Sequence, residues 1–156
     1  MKRKAVIITM LLFILASCAG KGKFNNMNEA KQAFLSEEGI NDENIINVID
    51  INNGHLLVFE KHLNDTSGYA VAYFKNNENK TVDFIGSTAK IAIDKTGDGR
   101  SVGTELVVND NQKIYFHIGE YEKSTFNNKS EEDIEKGITR IDEDRGIYYI
   151  IDVEMM

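Results

Sequence analysis

The chain has 156 residues, a length typical of one domain, and its 28% charged and 42% hydrophobic residues are ordinary for a soluble globular protein. Its formal net charge is −7, and because the first 17 residues hold three bases and no acid, the remaining chain carries −10. This charge argues against nucleic-acid binding, since neutralising phosphates requires clustered Lys and Arg. Anionic lipid headgroups would also repel the chain, so a hold on a membrane would have to come from an anchor.

The first 18 residues have the organisation of an export signal. Three basic residues, 2–4, are followed by the eleven uncharged residues 5–15, AVIITMLLFIL. At ~1.5 Å per residue this run covers only about half of a ~30 Å hydrocarbon core. It therefore fits the apolar region of a signal peptide and is too short for a transmembrane helix. The small residues Ala16 and Ser17 lead to Cys18, the one cysteine of the chain.

The four residues 15–18, Leu-Ala-Ser-Cys, resemble the lipobox of bacterial lipoproteins at every position. The resemblance implies that the Cys18 thiol receives a diacylglyceryl group and that the signal peptide, residues 1–17, is cleaved between Ser17 and Cys18. Two acyl chains hold a protein on a membrane stably, whereas one holds it only marginally. The alternative is a buried N-terminal helix in which Cys18 is incidental.

The rest of the chain is predicted to form a tether and one domain. Residues 18–28 contain small, Gly and polar residues, a composition that keeps a chain flexible. Apolar residues at helical spacing predict a helix over about Glu29–Glu38, with Asn28 as its N-cap and Gly39 as its stop. The domain is then expected to span 29–156.

Beyond this helix the pattern is that of strands separated by turns. The run 52–54, Asn-Asn-Gly, is a strong hairpin signal, and a short helical turn is predicted to open at Ser130. Regular strand–turn spacing after one early helix predicts an α+β fold, in which the N-terminal helix packs on an antiparallel β-meander sheet. Strands are predicted at about residues 45–51, 56–60, 69–74, 81–85, 90–93, 105–108, 114–118, 138–141 and 147–153.

The region from Asn28 to about Lys80 resembles small, uncharacterised lipoproteins of low-GC Gram-positive bacteria. The similar segments are EAKQAFLSEEGI, IINVIDINNGHLLVFEK and GYAVAYF. They cover about a third of the chain and consist largely of core residues. The resemblance therefore implies a helix followed by a meander, and it implies no active site.

One segment, 94–105, is similar to a calcium-binding EF-hand loop. Its sequence, DKTGDGRSVGTE, spaces oxygen-bearing residues as calcium requires and places a Gly where the loop must turn sharply. The alternative is an ordinary Gly/Asp hairpin loop, which is favoured by strand-like flanks and by Val102, a residue without a side-chain ligand atom. The calcium ligands would be the side chains of Asp94, Thr96, Asp98 and Glu105 and the carbonyl of Arg100.

The function expected from these features is that of a membrane-anchored, outward-facing, non-enzymatic envelope lipoprotein. It would act as a binding or accessory module, with the lipid bilayer and an envelope protein as its partners. Two alternatives stay open. One is a calcium-binding surface module that uses the 94–105 loop. The other is an envelope hydrolase, for which paired carboxylates are the available chemistry in a chain with 25 acids.

Overall fold

The computed structural model describes residues 22–63, 66–93, 101–121 and 137–155, and it has three layers: one helix, a sheet A and a sheet B. The helix, α1, spans Met27–Glu38. Its N-cap is Asn26, whose side chain accepts a hydrogen bond from the Glu29 N–H, and its C-cap is Gly39, which adopts a left-handed φ of 67°. Within the described chain, no helix is both long and apolar enough to cross a membrane.

Sheet A is antiparallel and has the strand order β1-β5-β4-β3-β2, with β6 paired to β4. A short 3-10 helix at Asp42–Asn44 leads into β2. Four consecutive strands, β2 to β5, follow one another as neighbours, so this sheet is the predicted meander. Its strands are β1 (Lys23–Phe24), β2 (Ile45–Ile51), β3 (Gly54–Leu63), β4 (Thr66–Asn76), β5 (Val82–Ser87) and β6 (Ile91–Ala92).

Sheet B is a second antiparallel sheet with the order β7-β8-β10-β9. Its strands were predicted from the sequence, but their division into a separate sheet was not. Ser130 and the helical turn predicted there lie outside the described residues. The strands of sheet B are β7 (Ser101–Asn109), β8 (Gln112–Glu120), β9 (Ile138–Asp142) and β10 (Ile147–Met155).

Sheet A is the middle layer, and its strand β4 is buried on both faces. Seven consecutive residues of β4, Gly68–Phe74, are buried, although a strand with one solvated face would alternate. Tyr73 belongs to the core shared with sheet B, whereas Phe74 belongs to the core beneath α1. The ring of Phe34 from α1 meets Phe59 and Phe74 edge to face, with ring centroids 5.1 and 5.7 Å apart. The α+β prediction, with a helix packed on a meander, is thus confirmed.

The two ends of this sandwich differ in composition. At one end lie the turns 52–53, 77–81 and 110–111, in which five of the nine residues are Asn. We call this the amide end. At the opposite end lie the 3-10 helix Asp42–Asn44 and the turn 143–146, whose seven residues include four acids and one Arg. We call this the acid end.

Candidate functional site

Most of the residues predicted to carry chemistry lie outside the described residues. These are Ser17 and Cys18 of the lipobox and Asp94, Thr96, Asp98 and Arg100 of the calcium loop. Glu105 is described and lies in the middle of β7, opposite Tyr115 of β8, with its carboxylate 3.9 Å from the Lys113 ammonium. Nowhere in residues 22–63, 66–93, 101–121 and 137–155 do three or more His, Cys, Asp or Glu side chains converge as metal ligands would. The calcium site therefore stays a prediction.

The candidate site lies along one long side of the sandwich, between β2 of sheet A and the pair β9–β10 of sheet B. Among the described strands, β2 and β9 are the outermost of their sheets on this side. Two concavities follow one another along it, a larger one of about 630 Å³ and a smaller one of about 470 Å³. We call this side the seam, the smaller concavity the acid-end cleft and the larger one the amide-end groove.

Arg145 organises the acid-end cleft. Its Nη1 donates to Asp142 Oδ2 at 2.8 Å, its backbone N–H donates to Asp142 Oδ1 at 3.0 Å, and its Nη2 donates to the Glu43 carbonyl at 3.3 Å. The Nε also reaches Glu60 Oε2 of β3 at 3.4 Å. Burial alone would lower the pKa of Arg145, but Asp142 and Glu60 together raise it above its usual value. One guanidinium therefore joins sheet B to sheet A.

Two tyrosines complete this polar network. Asn47 of β2 donates from Nδ2 to the Tyr149 hydroxyl of β10 at 3.0 Å, which is a second link between the sheets. Burial raises the pKa of the Tyr149 hydroxyl, and the hydrogen bond from Asn47 offsets only part of that effect. Burial also raises the pKa of Tyr69, and Glu60, to which its hydroxyl is hydrogen-bonded, raises it further. Both phenols therefore stay neutral throughout the physiological pH range.

The amide-end groove is lined mainly by turn and strand-end residues. It runs from the turn at Asn52 and Asn53 across to Gln112 and Met155, and Met155 is 69% exposed. Its lining mixes amide groups with apolar side chains such as Ile51. Such a surface can exchange hydrogen bonds with a polar ligand and cover apolar atoms, which suits binding.

One arrangement that resembles part of a hydrolytic site is a His–Asp pair beside this groove. His55 Nδ1 lies 2.6 Å from Asp50 Oδ1, next to the turn at 52–53. The Asp50 side chain is 84% exposed, whereas the acid that orients a catalytic histidine is buried so that its charge acts at low dielectric. We therefore assign this pair to the support of the hairpin turn.

Sequence reasoning missed the seam for a definite reason. The contacts that build it join Asn47 to Tyr149, Arg145 to Glu60 and Arg145 to Glu43, over separations of 102, 85 and 102 residues. The only signal of this site in the sequence was local: the three acids 142–144 directly precede Arg145. That pattern predicts a charged hairpin and gives no indication of its partners in sheet A.

Comparisons with known proteins do not add a functional assignment. No protein-family model matches the chain, and no significant match was found among curated proteins or among solved structures. The resemblances drawn from residues 15–18 and from the helix–meander region therefore remain predictions.

Proposed function

We propose that this protein is a membrane-anchored, outward-facing bacterial lipoprotein whose domain serves as a binding or accessory module for another component of the cell envelope. The observation that carries the proposal is the lipobox-like sequence ending at Cys18, placed directly after a basic start and an eleven-residue apolar run. A lipid anchor suits this domain, because a mature chain of charge −10 cannot be held on an anionic membrane by its own surface.

A binding role, rather than a catalytic one, is supported by how the polar side chains of the seam are used. The Arg145 guanidinium is shared among Asp142, Glu60 and the Glu43 carbonyl, so its donors already serve to hold the two sheets together. The acids around it give the cleft a negative rim, and electrostatic complementarity would favour a partner with basic side chains. A protein of the envelope with an exposed basic segment fits this description.

The anchor is tested by substituting the lipidated residue. In cells producing the full chain, Cys18→Ser is expected to block cleavage of the signal peptide, abolish incorporation of labelled fatty acid and release the protein from its lipid attachment. Ser17→Ala is the matched control, because it keeps a small residue beside the cleavage point and is expected to be processed normally. Normal processing and membrane fractionation of Cys18→Ser would show that the lipoprotein assignment is wrong.

A further inference from the structure

We propose that the lipidated domain stands on the phospholipid surface on its amide end, with its acid end directed away from the membrane. This inference rests on the proposed lipid anchor at Cys18. It concerns which surface of the domain meets the headgroups, and it assigns that role to the turns 52–53, 77–81 and 110–111.

The tether between lipid and domain is short. The sequence assigned residues 18–28 to a flexible tether, but Lys23 and Phe24 form β1, which pairs with Asp83 and Val82 of β5. Only four residue steps then separate Cys18 from Gly22, and a fully extended chain covers ~3.6 Å per step. The lipid-bearing residue must therefore lie within ~14 Å of Gly22, however residues 18–21 are arranged.

The position of Gly22 decides which end this tether can reach. Since Lys23 pairs with Asp83, Gly22 lies about level with Phe84 and hence with its β4 partner Phe74. From there two strand steps, ~7 Å, lead to the amide end, whereas eight steps, ~26 Å, lead to Thr66 at the other end of β4. A reach of ~14 Å covers the first distance and falls short of the second. The domain cannot stand on its acid end.

The distribution of charge favours a domain that stands on the membrane on its amide end over one that lies on its side. The nine residues of the amide-end turns hold only Glu78, Lys80 and Asp110 as charged groups, so this surface is nearly neutral and rich in amides. The acid-end segments, Asp42–Asn44 and 143–146, hold four acids and one Arg. Lying down would bring those acids within a Debye length, ~8 Å, of anionic headgroups, which repel them. Repulsion therefore tilts the acid end outward.

This orientation gives the two parts of the seam different neighbours. The amide-end groove, at Asn52, Asn53 and Gln112, would open at the level of the headgroups. The acid-end cleft, at Arg145, would lie ~30 Å farther out, about the length of a nine-residue strand such as β10. A soluble or membrane-embedded partner could then approach the cleft without displacing the domain from the lipid.

The test places a single fluorescent probe at each end of the lipidated full-length chain. Glu78→Cys and Glu143→Cys are matched, because each removes one exposed glutamate from a turn. The Cys18 sulfur would be held in a thioether, so each variant offers one reactive thiol. Both labelled proteins are incorporated into vesicles of phosphatidylglycerol and phosphatidylcholine that contain a headgroup-attached quencher. We expect the Glu78 probe to be quenched at least about twofold more than the Glu143 probe, since ~30 Å separates the two ends.

Flotation of the same vesicles separates the two ways in which the proposals could fail. Protein that floats with the vesicles but shows equal quenching at both positions, or stronger quenching at Glu143, would overturn the orientation and leave the anchor intact. Protein that does not float would contradict the anchor itself and, with it, the orientation. Raising the salt concentration from ~0.01 to ~1 M shortens the Debye length from ~30 to ~3 Å. The difference in quenching should then shrink, and a difference unchanged by salt would overturn the role given to charge.

Discussion

The two ends of the sandwich are held by different kinds of contact. At the amide end the side chains of the turns bond within their own turn: Asn79 Oδ1 accepts from the Thr81 N–H and hydroxyl, and Asn109 Oδ1 accepts from the Asn111 N–H. At the acid end, Arg145 bonds to groups 85 and 102 residues away in the sequence. Turn chemistry therefore shapes one end locally, whereas charged side chains tie distant elements together at the other.

This difference predicts where a single substitution will loosen the whole domain. Loss of one of these side-chain contacts affects one turn, because its donor and acceptor lie within a few residues of each other. Loss of the Arg145 contacts leaves a half-buried carboxylate on each sheet without its cation, and removing one partner of such an ion pair is costly. The contrast can be tested by measuring the free energy of unfolding of matched variants.

The largest effect is expected from removing Arg145. Arg145→Ala leaves Asp142 and Glu60, whose side chains are 16% and 15% exposed, without their cation. We expect the free energy of unfolding to fall by about 2 kcal/mol, as for the loss of hydrogen bonds to charged groups. Urea denaturation of the mature domain, monitored by circular dichroism, measures this loss.

The control for this variant is another arginine of the same cleft. Arg140 is exposed, and its Nη1 donates to the carbonyl of the adjacent Thr139. Arg140→Ala should change the free energy of unfolding by less than about 0.5 kcal/mol, as is usual for surface positions. Equal losses for Arg140→Ala and Arg145→Ala would show that the Arg145 contacts between the two sheets do not stabilise the domain.

The same contrast explains how much of the fold could be predicted from the sequence. Local signals located the helix and the strands, since they depend on periodicity and on turn residues. The helix begins two residues earlier than expected because Asn26, rather than Asn28, caps it. The Glu29 carboxylate also accepts a hydrogen bond from the Asn25 N–H at 3.0 Å, which supports this start. Either Asn is a suitable cap, and only the packed structure selects between them.

Long-range organisation could not be predicted in the same way. Alternation shows that a strand has a buried face, but it does not show which strand lies opposite, so the division into two sheets was not foreseen. The run of buried residues in β4, with Ala70 and Ala72 between larger side chains, was a signal of burial on both faces. The seam was unpredictable for the same reason, because Arg145 gains its role only when β3 and β9–β10 meet.

A bound calcium ion would further stabilise the domain near the acid end, where β7 begins. If Asp94, Thr96, Asp98, Arg100 and Glu105 hold the ion with a dissociation constant of ~10⁻³ M, then 5 mM Ca²⁺ stabilises the domain by about 1 kcal/mol. The melting temperature should rise by about 3 °C. Asp94→Ala should remove the shift, whereas Asp110→Ala, which removes an acid from an amide-end turn, should retain it. A parent protein whose melting temperature does not respond to Ca²⁺ would rule this site out.

The smallest effect is expected from Glu38, at the end of α1 near the acid end. Its carboxylate lies 3.0 Å from the Lys61 ammonium and 2.9 Å from the Lys90 ammonium, so it fastens the helix to sheet A. Burial alone would raise the pKa of Glu38, but the hydrogen bonds and charges of Lys90 and Lys61 lower it below 4.5. Because the solvent screens these pairs, Glu38→Gln should lower the free energy of unfolding by only about 0.5 kcal/mol at pH 7.

The pH dependence of this loss distinguishes an ion pair from a packing effect. A carboxyl group whose pKa is lower in the folded than in the unfolded chain stabilises the fold fully above the unfolded pKa, and this contribution disappears as the pH falls through the folded pKa. The difference between parent and Glu38→Gln should therefore be constant well above pH 4.5, shrink as the pH falls below that value, and vanish once the pH lies below the pKa of Glu38 in the folded chain. Glu37→Gln, an exposed neighbour, should give a smaller loss at pH 7. If the Glu38→Gln difference persists at low pH, Glu38 stabilises the domain by packing and not by its ion pairs. The acid end would then have fewer stabilising ion pairs between distant elements than its composition suggests.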